Sequence, residues 1–469
     1  MRKTGLAHTD AQIGRVVDAI DELGQWDDTL FVYVCGDNGA SAEGTIHGAW
    51  SSPAFQNGMP EDPEWLLAHL DDFGTPRCEN HYNVGWAWAL DAPFQWMKQV
   101  ASHFGGTRNG LAISWPRRIT AAGQQRSQFH HVIDIAPTIL EAAGIEMPAR
   151  VNGAEQKPIE GVGMAYSFDD AAAESRRTTK YLEIFGNRAV YHRGWMASCF
   201  HGRLPWVRAQ RATPFGGAER WELYHLADDF TQGVDLAAQH PDKLAELQRV
   251  FDAEARKYDV YPLSDATLAR ALPGNRPCLL ADRTSVTYYA GQVRIPEPVT
   301  LGYTSTSFEL RARLRIPPGG AQGVVICIGG AMAGWSLSLR DGVPHFAYNY
   351  LGHELTTIAA ARLLPEDLVA LSLSFDYDGG LGRSASVSLR VNDDEVAGGR
   401  IERTVPFRFS MSGETLDVGT DTGSPVAPYG HAFRCTGRIE RIDVTVHPQS
   451  ADLASAIAEA ELRAALAAQ

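Results

Sequence analysis

The chain has 469 residues, enough for two or three domains with a sizeable core, and its formal net charge of −14 argues against a nucleic-acid partner, which would require basic stripes. Hydrophobic residues make up 44% and tryptophan occurs 11 times, so an ordered globular protein is expected rather than a disordered one. The one basic candidate, Arg203 to Arg211, interleaves its charges with Leu204, Pro205 and Trp206 and reads as a solvated loop with one buried tryptophan. The six cysteines lie far apart without a Cys-x-x-Cys pair, so neither a structural zinc site nor a disulfide framework is signalled. Cys35 and Cys327 sit inside apolar runs and read as small core residues. No stretch of about 18 apolar residues is present, which excludes a spanning helix and a membrane role of that kind.

From Asp10 the positions Ile13, Val16, Val17, Ile20 and Leu23 follow one face of a helix, with Gly24 suited to its C-terminal cap. This helix is expected to pack on the sheet that holds the next element. The run Leu30 to Gly36 is β-branched and aromatic, and reads as a buried strand ending in Asp37-Asn38-Gly39. Open parallel α/β sheets keep their active sites at that end. A carboxylate beside an amide suits a hard cation such as calcium, although the same triplet also makes turns. Residues 40 to 96 are irregular, with a short helix expected over 62–70, and a loop of that length frames a site when it is not disordered. Ile113 to Trp115 closes another strand, and Asp134 caps a helix that carries Pro137 in its first turn and ends at Gly144.

Lys180 to Phe185, Ala189 to His192 and Trp221 to Tyr224 read as short strands, and Pro241 to Tyr258 as an amphipathic helix. After Thr284 the pattern changes to strict alternation. Asp341-Gly342 between two alternating runs predicts a tight hairpin, and Asn392 to Glu395 predicts another turn. Many short strands with regular turns mean a β-sandwich. Ala451 to Gln469 reads as an alanine-rich helix.

The segment from Lys98 through His103, Gly105-Gly106 and Arg108 leads into Ile113-Ser114-Trp115-Pro116 and then His131-x-x-Asp134-x-x-Pro137-Thr138. Together with Asp37-Asn38-Gly39, this ordered set closely resembles the sulfatase family, and within it the long bacterial arylsulfatases. The resemblance implies an α/β, alkaline-phosphatase-like core over 1–262, here lacking its N-terminal part, with a small subdomain from about 158. A linker over 263–283, a jelly-roll or lectin-like all-β sandwich over 284–448 and a helical tail over 449–469 follow. Asp37 and Asn38 would ligate calcium, Lys98 would contact sulfate oxygens, and His103 lies where a general acid would reach the leaving oxygen. Arg108 is expected to brace the Gly-Gly turn by pairing with a carboxylate. His47 carries a weaker claim, and His130 and His131 read as packing or capping residues. Asp376, Asp378, Asp417 and Asp421 read as turn-forming carboxylates, with a second calcium or a sugar as the alternative.

The family also carries a Cys/Ser-x-Pro-x-Arg motif whose first residue becomes formylglycine. None of the six cysteines stands in such a motif, and no serine is expected to stand in one either. The chain is therefore expected to be the C-terminal part of a sulfatase, inactive by itself, and open to self-association through its incomplete core. The start lacks an apolar signal-peptide core, which favours the cytoplasm, but a missing N-terminus leaves cytoplasmic and periplasmic locations both open. The implied partner is a sulfate ester small molecule or a sulfated glycan. A phosphodiesterase or phosphonate hydrolase of the same superfamily, and a non-catalytic glycan-binding remnant, are the rival readings.

Overall fold

A computed structural model describes residues 2–36, 39–59, 61–207, 214–216, 219–266, 279–280, 283–410, 413–430, 432–447 and 455. Asp37 and Asn38, most of the expected linker and all but one residue of the expected helical tail lie outside the described residues. The chain forms two compact units, one from Met1–Ser41, Ala87–Arg203 and Pro214–Ser264, the other from Ala42–Trp86, Leu204–Thr213 and Asp265–Gln469.

The first unit opens with helix α1 (Arg2–Glu22), longer than the periodicity predicts. Gly24 closes it at φ 65, donating its N–H to Asp21 O at 2.8 Å. Ile13, Val17 and Ile20 are half-buried, while Val16 and Leu23 are exposed, so the stripe is covered only in part. Strand β1 (Phe31–Cys35) follows. Next in the chain come α2 (Ser52–Gln56), α3 (Pro63–Ala68) and α4 (Val84–Asp91). Strand β2 (Gly110–Ser114) then pairs with β1 in antiparallel register, Phe31 opposite Ser114 and Cys35 opposite Gly110.

This corrects the expectation of a buried strand in a parallel sheet. β1 has a single neighbour among the described residues, its residues run from half-buried to exposed, and Cys35 is an exposed thiol rather than a core residue. Every pair in the named sheets is antiparallel.

Helix α5 (Ile135–Ala143) ends at Gly144, φ 65, as its sequence predicts. Its start is built differently. His131 accepts from Ile133 N and caps the preceding turn, while Asp134 is buried and takes N–H groups from His131 and Val162 together with the Arg177 guanidinium. Burial alone would raise the Asp134 carboxyl, but the His130 imidazole 3.4 Å away, the Arg177 guanidinium and these two amides hold it well below the carboxylate range. The short strands β3 (Arg150–Val151) and β4 (Ala154–Glu155) form a hairpin.

Strands β5 (Thr179–Ile184), β6 (Asn187–His192), β7 (Trp195–Cys199) and β8 (Trp221–His225) make one antiparallel sheet in chain order. β7 has no counterpart in the sequence reading. Helix α6 (Pro241–Lys257) lays Leu247, Phe251 and Ala255, one per turn, on Val190, Ala197 and Leu223 of this sheet. Alternation sends Ala189 and Met196 to the opposite face, where they pack on Phe104. One face of the sheet therefore serves α6 and the other carries the loop that holds Lys98.

The second unit is dominated by β9 (Ser285–Tyr288), β10 (Ile295–Pro296), β11 (Ser307–Ile316), β12 (Gly323–Gly329), β13 (Gly334–Arg340), β14 (Val343–Tyr350), β15 (Glu354–Ala359), β16 (Asp367–Tyr377), β17 (Ala385–Val391), β18 (Asp394–Ile401), β19 (Thr415–Val418) and β20 (Arg438–His447). They form two six-stranded antiparallel sheets, ordered β10-β19-β12-β13-β14-β15 and β18-β17-β16-β11-β20-β9. Both sheets feed one apolar core, with Trp335, Leu337 and Phe346 from the first and Phe308, Leu371 and Phe375 from the second. Asp341 and Gly342 both have positive φ, the two-residue turn that matches strand twist, and Asn392 with Asp393 repeat the device. Segment 42–86 belongs here. Ala54 enters the same core, and buried Asn57 donates to Arg408 O and accepts from Phe407 N and Arg408 N.

Candidate functional site

Lys98 sits in a short irregular loop bracketed by two non-glycine residues in the left-handed region, Trp96 at φ 66 and Gln99 at φ 77. Such conformations persist only where surroundings over-determine them. Here the Gln99 carbonyl accepts from Asn187 Nδ2 at 3.0 Å, and its side-chain oxygen accepts from Arg203 Nη1 at 2.7 Å. The Arg203 guanidinium lies 4.6 Å over the Phe185 ring. Arg203 is thus a buried residue, not part of a solvated loop, and Trp206 is half-buried.

The Gly105–Gly106 turn is the platform beneath this loop. A Cβ on Gly105 would meet the carbonyl oxygens of Gln95 and Trp96 at 2.3 Å, and one on Gly106 would meet Val100 O at 2.2 Å. Gln232 ties the turn to the sheet, accepting from Phe104 N at 2.7 Å and donating to Ser198 Oγ at 3.1 Å. On the far side Gly39 closes in: its Cβ would stand 1.9 Å from Gly105 O and 2.8 Å from Lys98 N, and Lys98 N donates to Ala40 O at 3.2 Å. The Asp91 carboxylate fixes that approach by accepting from Ala40 N at 2.9 and 3.1 Å. The residue that follows Asp37-Asn38 is therefore packed on the backbone of Lys98 and of the Gly-Gly turn. Sequence order alone could not show this closure, and it overlooked Gln99, Asn187, Arg203 and Gln232, whose role is visible only once the loop is folded.

His103 is 1% exposed with both ring nitrogens engaged, Nδ1 at 2.9 Å from Ser102 Oγ and Nε2 at 3.1 Å from Glu222 Oε2. The imidazole also holds the Glu222 carboxyl below its ordinary range, chiefly through that hydrogen bond. Arg108 braces the turn as expected but through rings, with its guanidinium 5.1 to 5.5 Å over Phe94, Phe104 and Phe230, and it forms no carboxylate pair among the described residues. His47 is exposed and belongs to the second unit.

One serine does meet the bare spacing of the formylglycine motif, Ser114-Trp115-Pro116-Arg117-Arg118, which corrects the sequence reading. Its position disfavours the part. Ser114 lies opposite Phe31, at the end of the β1–β2 ladder remote from Cys35, about 13 Å along the strand. Arg117 pairs with Asp28 at 2.9 Å rather than with anything near Lys98.

In the second unit Cys327, Asp417 and Asp421 are all buried, and their ligand atoms lie within 4.8 Å of one another. Asp417 already accepts from Arg294 N, Thr415 Oγ1, Thr422 N and Thr422 Oγ1, while Asp421 accepts from Val426 N and from the Tyr429 hydroxyl at 2.6 Å. Burial and the two carboxylates push the Cys327 thiol well above its usual range. This is a closed knot of turn-forming carboxylates. Asp378 likewise pairs with Arg400 and Ser384.

No helix among the described residues is long and apolar enough to cross a membrane. A family model described as Sulfatase matches residues 2–145. The chain is 30% identical over 250 residues to an uncharacterized sulfatase of Schizosaccharomyces pombe, covering 52% of this chain and 41% of that protein. It is also 30% identical over 173 residues to an arylsulfatase of Klebsiella aerogenes, 37% of this chain and 35% of the other. To arylsulfatase K of Xenopus laevis it is 23% identical over 179 residues, 36% and 29% of the two chains. The chain thus spans well under half the length of each relative. Motif order, the closure of Gly39 on Lys98 and this kinship agree, and residues 2–145 match the sulfatase family.

Proposed function

We propose that the chain carries one wall of an arylsulfatase-type site, in which Lys98 holds the sulfate group of an ester and Asp37 with Asn38 face a calcium ion. The single observation that supports this most is the packing of Gly39 on Lys98 N and Gly105 O, because it joins two motifs sixty residues apart into one place. Donor chemistry fits the ion: an aspartate and an asparagine offer only hard oxygens next to two glycines of positive φ, Gly36 and Gly39. Calcium takes about 6 to 8 oxygens, and these two side chains supply two or three. When bound, such an ion supplies Lewis-acid polarisation of the sulfate.

The chain's own residues do the rest of what is proposed. Lys98 offers a flexible point charge to nonbridging oxygens, on a loop whose backbone is pinned from three sides. His103 orients Glu222 and the Gly-Gly turn, both its nitrogens being committed to protein partners. No activated nucleophile is identified, since Ser114 stands at the remote end of its strand. The 469-residue polypeptide by itself is therefore expected to bind sulfate esters without turning them over. Release of phenol from an aryl sulfate, abolished by Lys98→Ala, would refute that expectation. Turnover of a phosphodiester instead would favour the phosphodiesterase reading. A jelly-roll, glycan-binding part for the second unit, with a sulfated glycan as ligand, belongs to the same proposal, and a glycan array probed with the whole chain tests it.

A further inference from the structure

We propose that Glu79, Glu414 and Gln56 hold a hard divalent cation, of which calcium is the type, in a cavity of about 40 Å³ inside the second unit. The walls come from three stretches of sequence. Helix α2 brings Ser52 and Gln56, the bridge between Ser51 and Glu79 sets Glu79 beside it, and the segment around β19 brings Ser410, Glu414 and Ser424. Ser52 N donates to Glu79 O at 2.9 Å, so the glutamate's backbone is fixed on the helix start.

Glu414 is set in place with some care. Its carboxylate accepts from Ser424 N at 3.2 Å, and it fits only because neighbouring backbone lacks side chains: a Cβ on Gly423 would lie 1.9 Å from Oε2, and one on Gly330 2.5 Å from the carboxyl carbon. Gln56 is the independent mark of a ligand. It is 7% exposed, it lines the cavity, and its amide makes no hydrogen bond to any described residue. With no protein partner, its oxygen and nitrogen take theirs from whatever fills the cavity, an ion or water.

The chemistry of the wall selects the occupant. Two carboxylates, one amide and three hydroxyls line the space beside Pro53, Met332, Ala333 and Phe409, while no lysine, arginine or histidine does, so the lining charge is negative. Oxygen donors without imidazole or thiolate suit calcium or magnesium rather than zinc or copper. About 10 to 15 Å³ holds one water-sized sphere, so the cavity admits an ion with one or two waters, which favours the looser calcium shell over six tight magnesium ligands. Partial burial first, and the charge of Glu414 second, raise the Glu79 carboxyl above its ordinary range, as expected of facing carboxylates. Glu79 itself is exposed and gives the ion a way in.

This site is separate from Asp37 and Asn38, and the test keeps the two apart. Chelator-treated full-length chain is titrated with calcium chloride by calorimetry, alongside Glu79→Gln, Glu414→Gln and Asp37→Asn. The expected result is uptake that survives Asp37→Asn and weakens at least about tenfold in both glutamate variants. Because Glu414→Gln also removes a bond to the 424 turn, Glu79→Gln, at the exposed rim, is the deciding variant. Absence of uptake at millimolar calcium, or uptake that Glu79→Gln leaves unchanged, overturns the proposal.

Discussion

Single atoms decide most at Gly105. Its missing Cβ is what lets the carbonyls of Gln95 and Trp96 approach, and those contacts are with backbone, which cannot swing away. Gly105→Ala should cost about 3 kcal/mol and loosen Lys98 with it, as overpacking of a tight site does. Gly14, inside α1 with nothing within 4 Å of a Cβ, is the counterpart: Gly14→Ala should stabilise the chain by up to about 1 kcal/mol. Denaturant midpoints of the two variants measure both signs in one experiment. The Gly-Gly turn was legible in the sequence as a motif. Its reason was not, because a requirement for glycine set by residues ten positions away leaves no local trace.

Two titrating groups of the first unit give its stability a definite pH dependence. Burial, and after it the charges of Lys180 and Arg177, push the His131 imidazole down to about 4. Its unfolded value is near 6.5, so folding favours the neutral ring, and that contribution is present above about pH 6.5 and lost as pH falls through about 4. Glu219 is held at about 2, first by its hydrogen bond from Arg188, with Gly216 N and His201 adding to it. Its contribution is present above about pH 4.3 and lost as pH falls through about 2. Each window spans about 3 kcal/mol at most. Unfolding free energies at pH 7, 5 and 3 should therefore decline in two steps, with His131→Gln removing the upper and Glu219→Gln the lower.

Among the elements, the hairpin over Asp341-Gly342 and helix α6 are where sequence and structure agree to within a few residues, since alternation and a one-faced helix are local patterns. β1 shows the limit. Its apolar run says that a strand forms and nothing about what covers it, and the structure pairs it with β2 alone. Val34 and Leu111, cross-strand partners, are 36% and 43% exposed. An apolar two-stranded ribbon with open edges is a template for association. The chain is expected to self-associate through it, and the pair Val34→Lys with Leu111→Glu should shift light-scattering mass toward the monomer. A wild-type chain that is monodisperse and monomeric would refute this. Asn57 is the equivalent point in the second unit, where one amide serves Pro53 O, Arg408 O and the N–H groups of Phe407 and Arg408. Asn57→Ala strands these buried groups and should lower stability by about 3 kcal/mol or more, read from the second unit's denaturation midpoint.

At the scale of the whole molecule, composition and motif order were enough to place the family, and periodicity was enough to separate a mixed region from an all-β one. What sequence left hidden is how chain segments distribute. Residues 40 to 96 read as one irregular stretch framing a site, yet 42–86 belong to the second unit, where Ala54 joins its core and Asn57 bonds Phe407 and Arg408. Nothing in their composition distinguishes those two destinations, because Gly-, Pro- and Trp-rich stretches pack equally well on either. The proposed function rests on the meeting of Gly39, Lys98 and Gly105, so the decisive measurement is ligand capture at Lys98. Calorimetric titration of phenyl sulfate into the chain with calcium present should give binding that Lys98→Ala weakens at least about tenfold, as loss of a charge-assisted contact does, and that Lys243→Ala leaves unchanged. Equal binding by wild type and Lys98→Ala would contradict the assignment of Lys98 to the sulfate.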